Sequence, residues 1–409
     1  MDRGGAESGS GEPRLDRADG KEDKGQVGGG MGRGADNMTP VQYHYGKFPP
    51  VELDWKQLIP LIGPANAALA RYDGTLNAVP NPNVLLTPLA TQEAVLSSKI
   101  EGTVTTITEV LKFEAKGASA EKSPEKFADI QEVLNYRRAM YHAADQLNKL
   151  PLCQRIIKEA HRLLLEDVRG KTKAPGEYRR IPNWIGPAGC KVEEASFVPI
   201  SADKLLDGMS DWEKFIHEKA PDILVKLAVL HAEFEALHPF LDGNGRMGRM
   251  FVPLFLFKTG ILTRPTFYIS EFFEKRRDEY YERLRAVSRD GAWTEWCVFF
   301  LMAIQSQAEV NQTKAQAILK LYQDKKEWIT SATRSLFAIH ALDFLFRQPV
   351  FASSDFTSHK SIPTPSAHRI LKLLRDKGMF KILQESKGRR PALLAFRELL
   401  NIVEGHNAF

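Results

Sequence analysis

His238–Arg249, HPFLDGNGRMGR, brings a histidine, a carboxylate, a glycine-rich turn and two arginines together within twelve residues. Just upstream, Ile223, Leu227, Leu230, Phe234 and Leu237 recur at three- and four-residue steps, which predicts an amphipathic helix. Pro239 then ends that helix and leaves His238 in its last turn. Gly243 and Gly245 bracket Asn244 in a tight turn, and the apolar run from Arg246 to Lys258 predicts a second helix. The reading is helix, anion-cradling turn, helix.

Each residue type has a chemical use. Backbone N–H groups around Gly243, Asn244 and Gly245 can converge on one concavity, and a following helix N-terminus adds positive potential. Glycine allows close approach to a phosphate. Asp242 is a hard oxygen ligand suited to Mg²⁺ shared with substrate phosphates. Arg246 and Arg249 offer permanently charged forks for phosphate oxygens. His238 is the side chain suited to accept a proton near neutral pH. A plain helix cap would need one or two of these residues, and the run supplies seven.

The run resembles the signature of the Fic family, HxFx(D/E)GNGRxxR, with every position filled. The flanking HAEFEAL of 231–237 is also similar, and the likeness extends from about Pro49 to the C-terminus. This resemblance implies a mainly α fold: a Fic-type helical bundle with a small β-hairpin flap. It also implies transfer of AMP from ATP to a Ser, Thr or Tyr hydroxyl of a target protein, and of the chain itself. His238 would be the base, and Asp242 would hold Mg²⁺. Gly243, Asn244 and Gly245 would form the anion hole, with Arg246 and Arg249 on the outer phosphates.

Upstream lies SSKIEG, Ser97–Gly102. Thr87 and Pro88 read as N-cap and first helical position, and Gly102 as a stop, giving a helix of about fourteen residues with Glu101 in its final turn. A carboxylate there opposes the helix dipole and asks for a cationic partner. Its removal is therefore expected to cost little stability. In the Fic family the pattern (S/T)xxxE(G/N) marks an inhibitory helix, and Ser97, Glu101 and Gly102 fit it, so the implied partner is Arg249. The resemblance also allows the reverse hydrolysis, with Glu101 orienting a water.

Between these segments, GEYRRIPNWIG of 176–186 and the run Ala195–Pro199 suggest a loop and short hairpin. In relatives a flap here pairs with an extended target segment, which would make Phe197 and Val198 docking residues. Trp184 and Phe197 read equally as core. Downstream, YISEFFEKRRDEYYERL resembles the part that closes the nucleotide site, where Tyr280 and Tyr281 would touch adenine unless they are core.

The chain has 409 residues, 43% of them hydrophobic, enough for two or three cores. Cys153, Cys190 and Cys297 show no metal-type spacing and read as buried, reduced thiols of a cytoplasmic protein. No apolar run approaches membrane-spanning length, and the start lacks the apolar core of a signal peptide. The first 37 residues hold 11 glycines and mixed charges, so a disordered tail is expected, with Met38 as a second possible start. The domain reading is a tail at 1–37, a helical region with the inhibitory helix at 38–150 and a catalytic core at 151–310. A helical connector at 311–348 and a winged helix-turn-helix at 349–409 complete it.

Residues 351–409 carry 10 Lys/Arg against 5 Asp/Glu and account for the net charge of +5. Thr364 and Pro365 begin a helix that Gly378 stops, and β-type runs at Phe380–Leu383 and Ala392–Phe396 flank a basic turn at Ser386–Arg390. Helix and basic hairpin resemble a winged helix, which permits DNA contact or dimer and partner docking. A homodimer and a protein target are expected partners, and no membrane is. The competing function is a DNA-binding regulator that uses its Fic core as a nucleotide sensor, for which His238 would be unnecessary.

Overall fold

Nearly every position of the helix leading to the motif is buried, because other helices pack around it. The computed structural model describes residues 39–116, 123–168, 171–187, 189–388 and 390–407. The tail at 1–37, Met38 and Arg389 lie outside the described residues. A short strand β1 (Val41–Gln42) precedes α1 (Trp55–Asn77), α2 (Pro82–Leu85), α3 (Thr87–Ile100), α4 (Ile107–Lys116), α5 (Pro124–Leu147) and α6 (Gln154–Leu164). Strand β2 (Phe197–Val198) follows, then α7 (Leu205–His217), α8 (Ile223–Leu237), α9 (Asn244–Lys258), α10 (Ser270–Lys275), α11 (Arg277–Asp290) and α12 (Trp293–Thr333). The fold is mainly helical, as expected.

Asp222 caps α8, its carboxylate accepting from the Leu224 and Val225 N–H groups at 2.8 and 2.9 Å. Helices α7, α9, α11 and α12 all pack on α8. Trp212 of α7 and Trp296 of α12 bury their indoles against it and donate to the Leu230 and Ala228 carbonyls at 2.9 and 2.7 Å. Those bonds satisfy the one polar atom of each ring in an otherwise apolar contact. Helix α12 runs unbroken for 41 residues until Arg334 turns left-handed at φ +46°. The boundary expected between 310 and 311 therefore falls inside one helix, and core and connector share it.

The remaining elements are α13 (Ala338–Arg347), β3 (Val350–Ala352), α14 (Ser353–Thr357), α15 (Thr364–Asp376), β4 (Lys381–Gln384), β5 (Leu393–Ala395) and α16 (Arg397–Glu404). The three strands form an antiparallel sheet in the order β3-β5-β4, with a register shift between Ile382 and Gln384. This C-terminal part is docked on the helices before and after the core: β3 packs on α4, and α16 on α3 and α12. Lys325 of α12 pairs with Glu398 of α16 at 2.7 Å. Among the described residues no helix is long and apolar enough to cross a membrane. Cys297 is buried, whereas Cys153 and Cys190 are half-buried, and all three are free thiols.

Candidate active site

His238 is one residue beyond α8, not in its last turn, and its backbone is left-handed at φ +47° and ψ +59°. The conformation is uncommon for a side chain with a Cβ, and Arg179 holds it. The buried Arg179 guanidinium donates from Nε to the His238 carbonyl at 2.9 Å, and from Nη2 to the Leu237 carbonyl at 3.2 Å and the Ile200 carbonyl. Its backbone N–H donates to the Pro239 carbonyl at 2.9 Å. The bonds to Leu237 and His238 occupy carbonyls left unpaired where α8 ends. Burial lowers the Arg179 pKa to about 10, so the side chain stays charged at neutral pH.

The His238 Nδ1 faces the Glu235 carbonyl at 3.3 Å. A carbonyl only accepts, so Nδ1 carries the proton and Nε2 keeps its lone pair. Burial brings the imidazole pKa down to about 4, which makes it neutral at pH 7.

On the other flank of the loop, His161 of α6 donates from Nε2 to the Asp242 carbonyl at 2.9 Å and accepts from the Gly176 N–H at Nδ1 at 2.8 Å. Its ring stacks on Phe240 with centroids 3.6 Å apart. Burial lowers its pKa to about 4 as well, consistent with the neutral tautomer these two bonds require. The sequence reading missed both His161 and Arg179. A histidine on the buried face of an amphipathic helix looks like any core histidine. An arginine in the loop-like GEYRRIPNWIG looks like surface.

Gly243 turns left-handed at φ +78°, and α9 begins at Asn244, so Gly245 lies in the helix's first turn and not in the turn before it. Its role is clearance: a Cβ at 245 would stand 2.2 Å from Glu101 Oε1. The Asn244 side chain turns back into its own loop. It is buried, accepting from the Phe240 N–H and donating to the Phe240 carbonyl, both at 2.8 Å. Its amide pins the loop, and what it brings to the helix N-terminus is its backbone N–H.

Arg249 is fully buried. It donates from Nε to Ser97 Oγ at 3.0 Å, and from Nη2 to the Ser97 carbonyl at 2.8 Å and Glu101 Oε1 at 2.7 Å. The Ser97 carbonyl is among the last four of α3, so the guanidinium caps that helix while it pairs with the carboxylate. Burial alone would raise the Glu101 pKa, but the Arg249 charge and hydrogen bond outweigh it and hold the carboxyl below its usual value. Burial likewise opposes the Arg249 charge, and Glu101 outweighs it, so that pKa rises.

Arg246 is divided between two carboxylates, each at 3.3 Å: Glu132 of α5 and Asp242. The Asp242 side chain is 39% exposed. Among the described residues no group of three or more His, Cys, Asp or Glu side chains could hold a metal. One exposed hard oxygen fits a Mg²⁺ that arrives with phosphates, not one held by protein alone.

Glu101, His238 and Gly245 face one cleft of about 350 Å³, whose walls also carry Phe197, Tyr281 and Arg277. Tyr280 is not in it. That ring is fully buried, stacks on Phe273 at 4.3 Å, and places its hydroxyl 2.9 Å from His231 Nε2, so no surface remains for adenine. The flap also departs from expectation. Phe197 exchanges both backbone hydrogen bonds with Ile185, and β1 pairs with β2 in parallel, with the Tyr43 N–H on the Val198 carbonyl at 3.0 Å. With both edges taken, a target strand cannot pair with Phe197–Val198 unless β1 is displaced. Phe197 is core and Trp184 is exposed.

Residues 59–145 match the Fic/DOC family N-terminal region, and residues 151–256 match the Fic/DOC family domain. Ser97 and Glu101 fall in the first; His161, Arg179 and the whole of 238–249 fall in the second. The chain is 24% identical over 134 residues to a protein adenylyltransferase of Caenorhabditis briggsae, covering 29% of this chain and 25% of that protein. It is 36% identical over 64 residues to a probable protein adenylyltransferase of Aquifex aeolicus, covering 16% of this chain and 19% of the relative. The chain thus spans a quarter or less of the length of these two relatives. In fold it is similar to a Fic family protein of Desulfovibrio desulfuricans, with a TM-score of 0.54, 21% identity, and coverage of 85% of this chain and 98% of that one. A Fic domain-containing protein of Bacteroides thetaiotaomicron matches with a TM-score of 0.51 and 18% identity, over 63% of this chain and 97% of that one.

Proposed function

The chain belongs to the Fic/DOC family through residues 59–145 and 151–256, and from that premise we propose that it transfers AMP from ATP to a hydroxyl of a protein. The hydroxyl oxygen attacks the α-phosphorus while the bond from that phosphorus to the bridging oxygen breaks, and pyrophosphate leaves. His238 Nε2 takes the hydroxyl proton. The observation that carries this reading is a neutral His238 with a free Nε2 in the same cleft as the N-terminus of α9. The backbone N–H groups at Asn244 and Gly245 would stabilise phosphate charge without reorganising. Asp242 would hold Mg²⁺ on the phosphates, and that ion would neutralise charge on the departing pyrophosphate.

Autoinhibition is part of the proposal. Glu101 lays its carboxylate over Gly245 at the start of α9 and occupies Arg249, so a negative charge already stands where an outer phosphate would bind. A winged helix-turn-helix at the C-terminus is supported by the connectivity α13, β3, α14, α15, β4, β5. Its α15 exposes His368, Arg369, Lys372 and Arg375, a face suited to phosphate backbone contact.

The reading is tested with protein, target lysate and ATP labelled at either the α- or the γ-phosphate. Label from the α-position should enter protein, and label from the γ-position should not. Transfer of γ-label would mean phosphate transfer and would overturn it.

The pH profile of that transfer follows from burial. The base is the neutral imidazole, and protonation removes it. With the pKa lowered to about 4, activity should be lost only as pH falls below about 5, not near 6.5. Glu235 faces the same cleft, and burial raises its carboxyl to about 7. A limb near 7 should therefore vanish in Glu235→Gln. A limb at 6 to 7 that persists in that variant would contradict a buried neutral base.

A further inference from the structure

Behind α3, between that helix, α5 and the 264–268 loop, lies a cavity of about 210 Å³. Leu86, Ala90, Met140 and Tyr141 give it an apolar body. Two polar atoms on its lining residues are buried and make no hydrogen bond: Arg264 Nε and Thr266 Oγ1. The buried Tyr136 hydroxyl is directed to Ser97 and Glu93. A buried polar atom left unpaired costs about 1–3 kcal/mol, so two around one void mark a place built to receive something.

The unspent groups define its chemistry. Glu93 also lines the cavity, but both of its oxygens are engaged, accepting from the Ser270 N–H at 3.1 Å and Ser270 Oγ at 2.6 Å. Arg264 makes no ion pair among the described residues. With Arg137 committed to Thr91 and Glu114, what remains is one cationic donor and one hydroxyl, a set that seeks acceptor oxygens. A void of roughly 150 Å³ holds a benzene ring, so this one has room for a ring and a small polar substituent. We propose that the cavity binds a small aromatic carboxylate, with its ring among Leu86, Ala90 and Met140 and its carboxylate on Arg264 and Thr266.

Such a ligand would act on α3. Leu86, Ala90 and Glu93 line the cavity, and Ser97 and Glu101, which hold Arg249, continue the same stripe at steps of three and four. A molecule that binds only while α3 is docked stabilises that position by mass action. This regulatory consequence rests on the autoinhibited transferase reading, and the binding itself does not.

Benzoate is the probe, with benzyl alcohol and benzylamine as neutral and cationic counterparts, and the full chain is used throughout. Ligand-observed NMR and thermal melting should show benzoate binding and raising Tm, with benzyl alcohol weaker and benzylamine inert. Arg264→Gln removes the cationic anchor on a half-buried side chain, and Thr266→Val removes a hydroxyl at nearly constant volume. The arginine variant should weaken benzoate about ten- to a hundredfold, the scale of one charge-assisted bond. Equal binding of benzoate and benzylamine, or benzoate binding unchanged in both variants, overturns the site, as does no binding at all. If benzoate binds but slows α-label transfer no more in wild type than in Glu101→Gly, the site stands and its link to inhibition falls.

Discussion

His238→Ala is expected to lower AMP transfer by about 10²–10⁴-fold, the usual worth of a positioned general base, while leaving ATP binding in place. The substitution removes Nε2 and little else. The side chain makes a single 3.3 Å hydrogen bond, to the Glu235 carbonyl. The loop around it is held by other residues, Arg179 on the His238 carbonyl and His161 on the Asp242 carbonyl. One cost is local: alanine tolerates the left-handed backbone at 238 less well than histidine. His238→Asn serves as the companion variant, since asparagine accepts that conformation and supplies no base. Both proteins should melt near wild type and bind labelled ATP, and both should fail in single-turnover transfer. Undiminished transfer by either variant would remove His238 from the chemistry.

The central motif could be read before any coordinates because its residues are contiguous and their chemistry is local. The pairing of Glu101 with Arg249, 148 positions apart, was legible only through resemblance to a family pattern, although the carboxylate at a helix C-terminus did ask for a cation. What the motif could not reveal was division of labour inside it. Asn244 has the same composition whether its amide meets a phosphate or pins the Phe240 peptide, and only the left-handed Gly243 and the start of α9 decide. Tyr280 and Tyr281 are neighbours in one helical run, yet one is locked among aromatic rings and the other faces the cleft. His161 and Arg179 act on backbone carbonyls, which carry no sequence signature, so nothing local marks them. The β1 strand on the flap was invisible for a related reason: two residues paired across 156 positions leave no periodic trace.

Glu101→Gly is expected to raise transfer and self-modification about ten- to a hundredfold, if inhibition is the occupation of Arg249 by a charge-assisted bond worth about 1.5–3 kcal/mol. The sequence alone suggested that the change would be almost free, because the carboxylate opposes its helix dipole. The structure reverses that expectation. Arg249 is fully buried, its Nη1 already lacks a hydrogen-bond partner, and Glu101 is the carboxylate it pairs with. Removing the partner of a buried charge leaves desolvation uncompensated, so a loss of about 1–3 kcal/mol is expected. The side chain of Glu101 is 34% exposed, which lets water replace part of the lost contact and keeps the cost in the lower part of that range. Activation and destabilisation should therefore appear together, and the two are separable. Glu101→Gln keeps an acceptor for Arg249 but not the charge, and should fall between wild type and Glu101→Gly in both transfer and urea midpoint. Arg249→Ala should depress transfer in either background, since the same guanidinium would serve the inhibited and the productive state. Initial rates with α-labelled ATP, set beside urea melts of the same five proteins (wild type, Glu101→Gly, Glu101→Gln, Arg249→Ala and the Glu101→Gly/Arg249→Ala double variant), decide it. Equal or lower transfer by folded Glu101→Gly would remove the inhibitory role of the ion pair and leave the chemistry at His238 untouched.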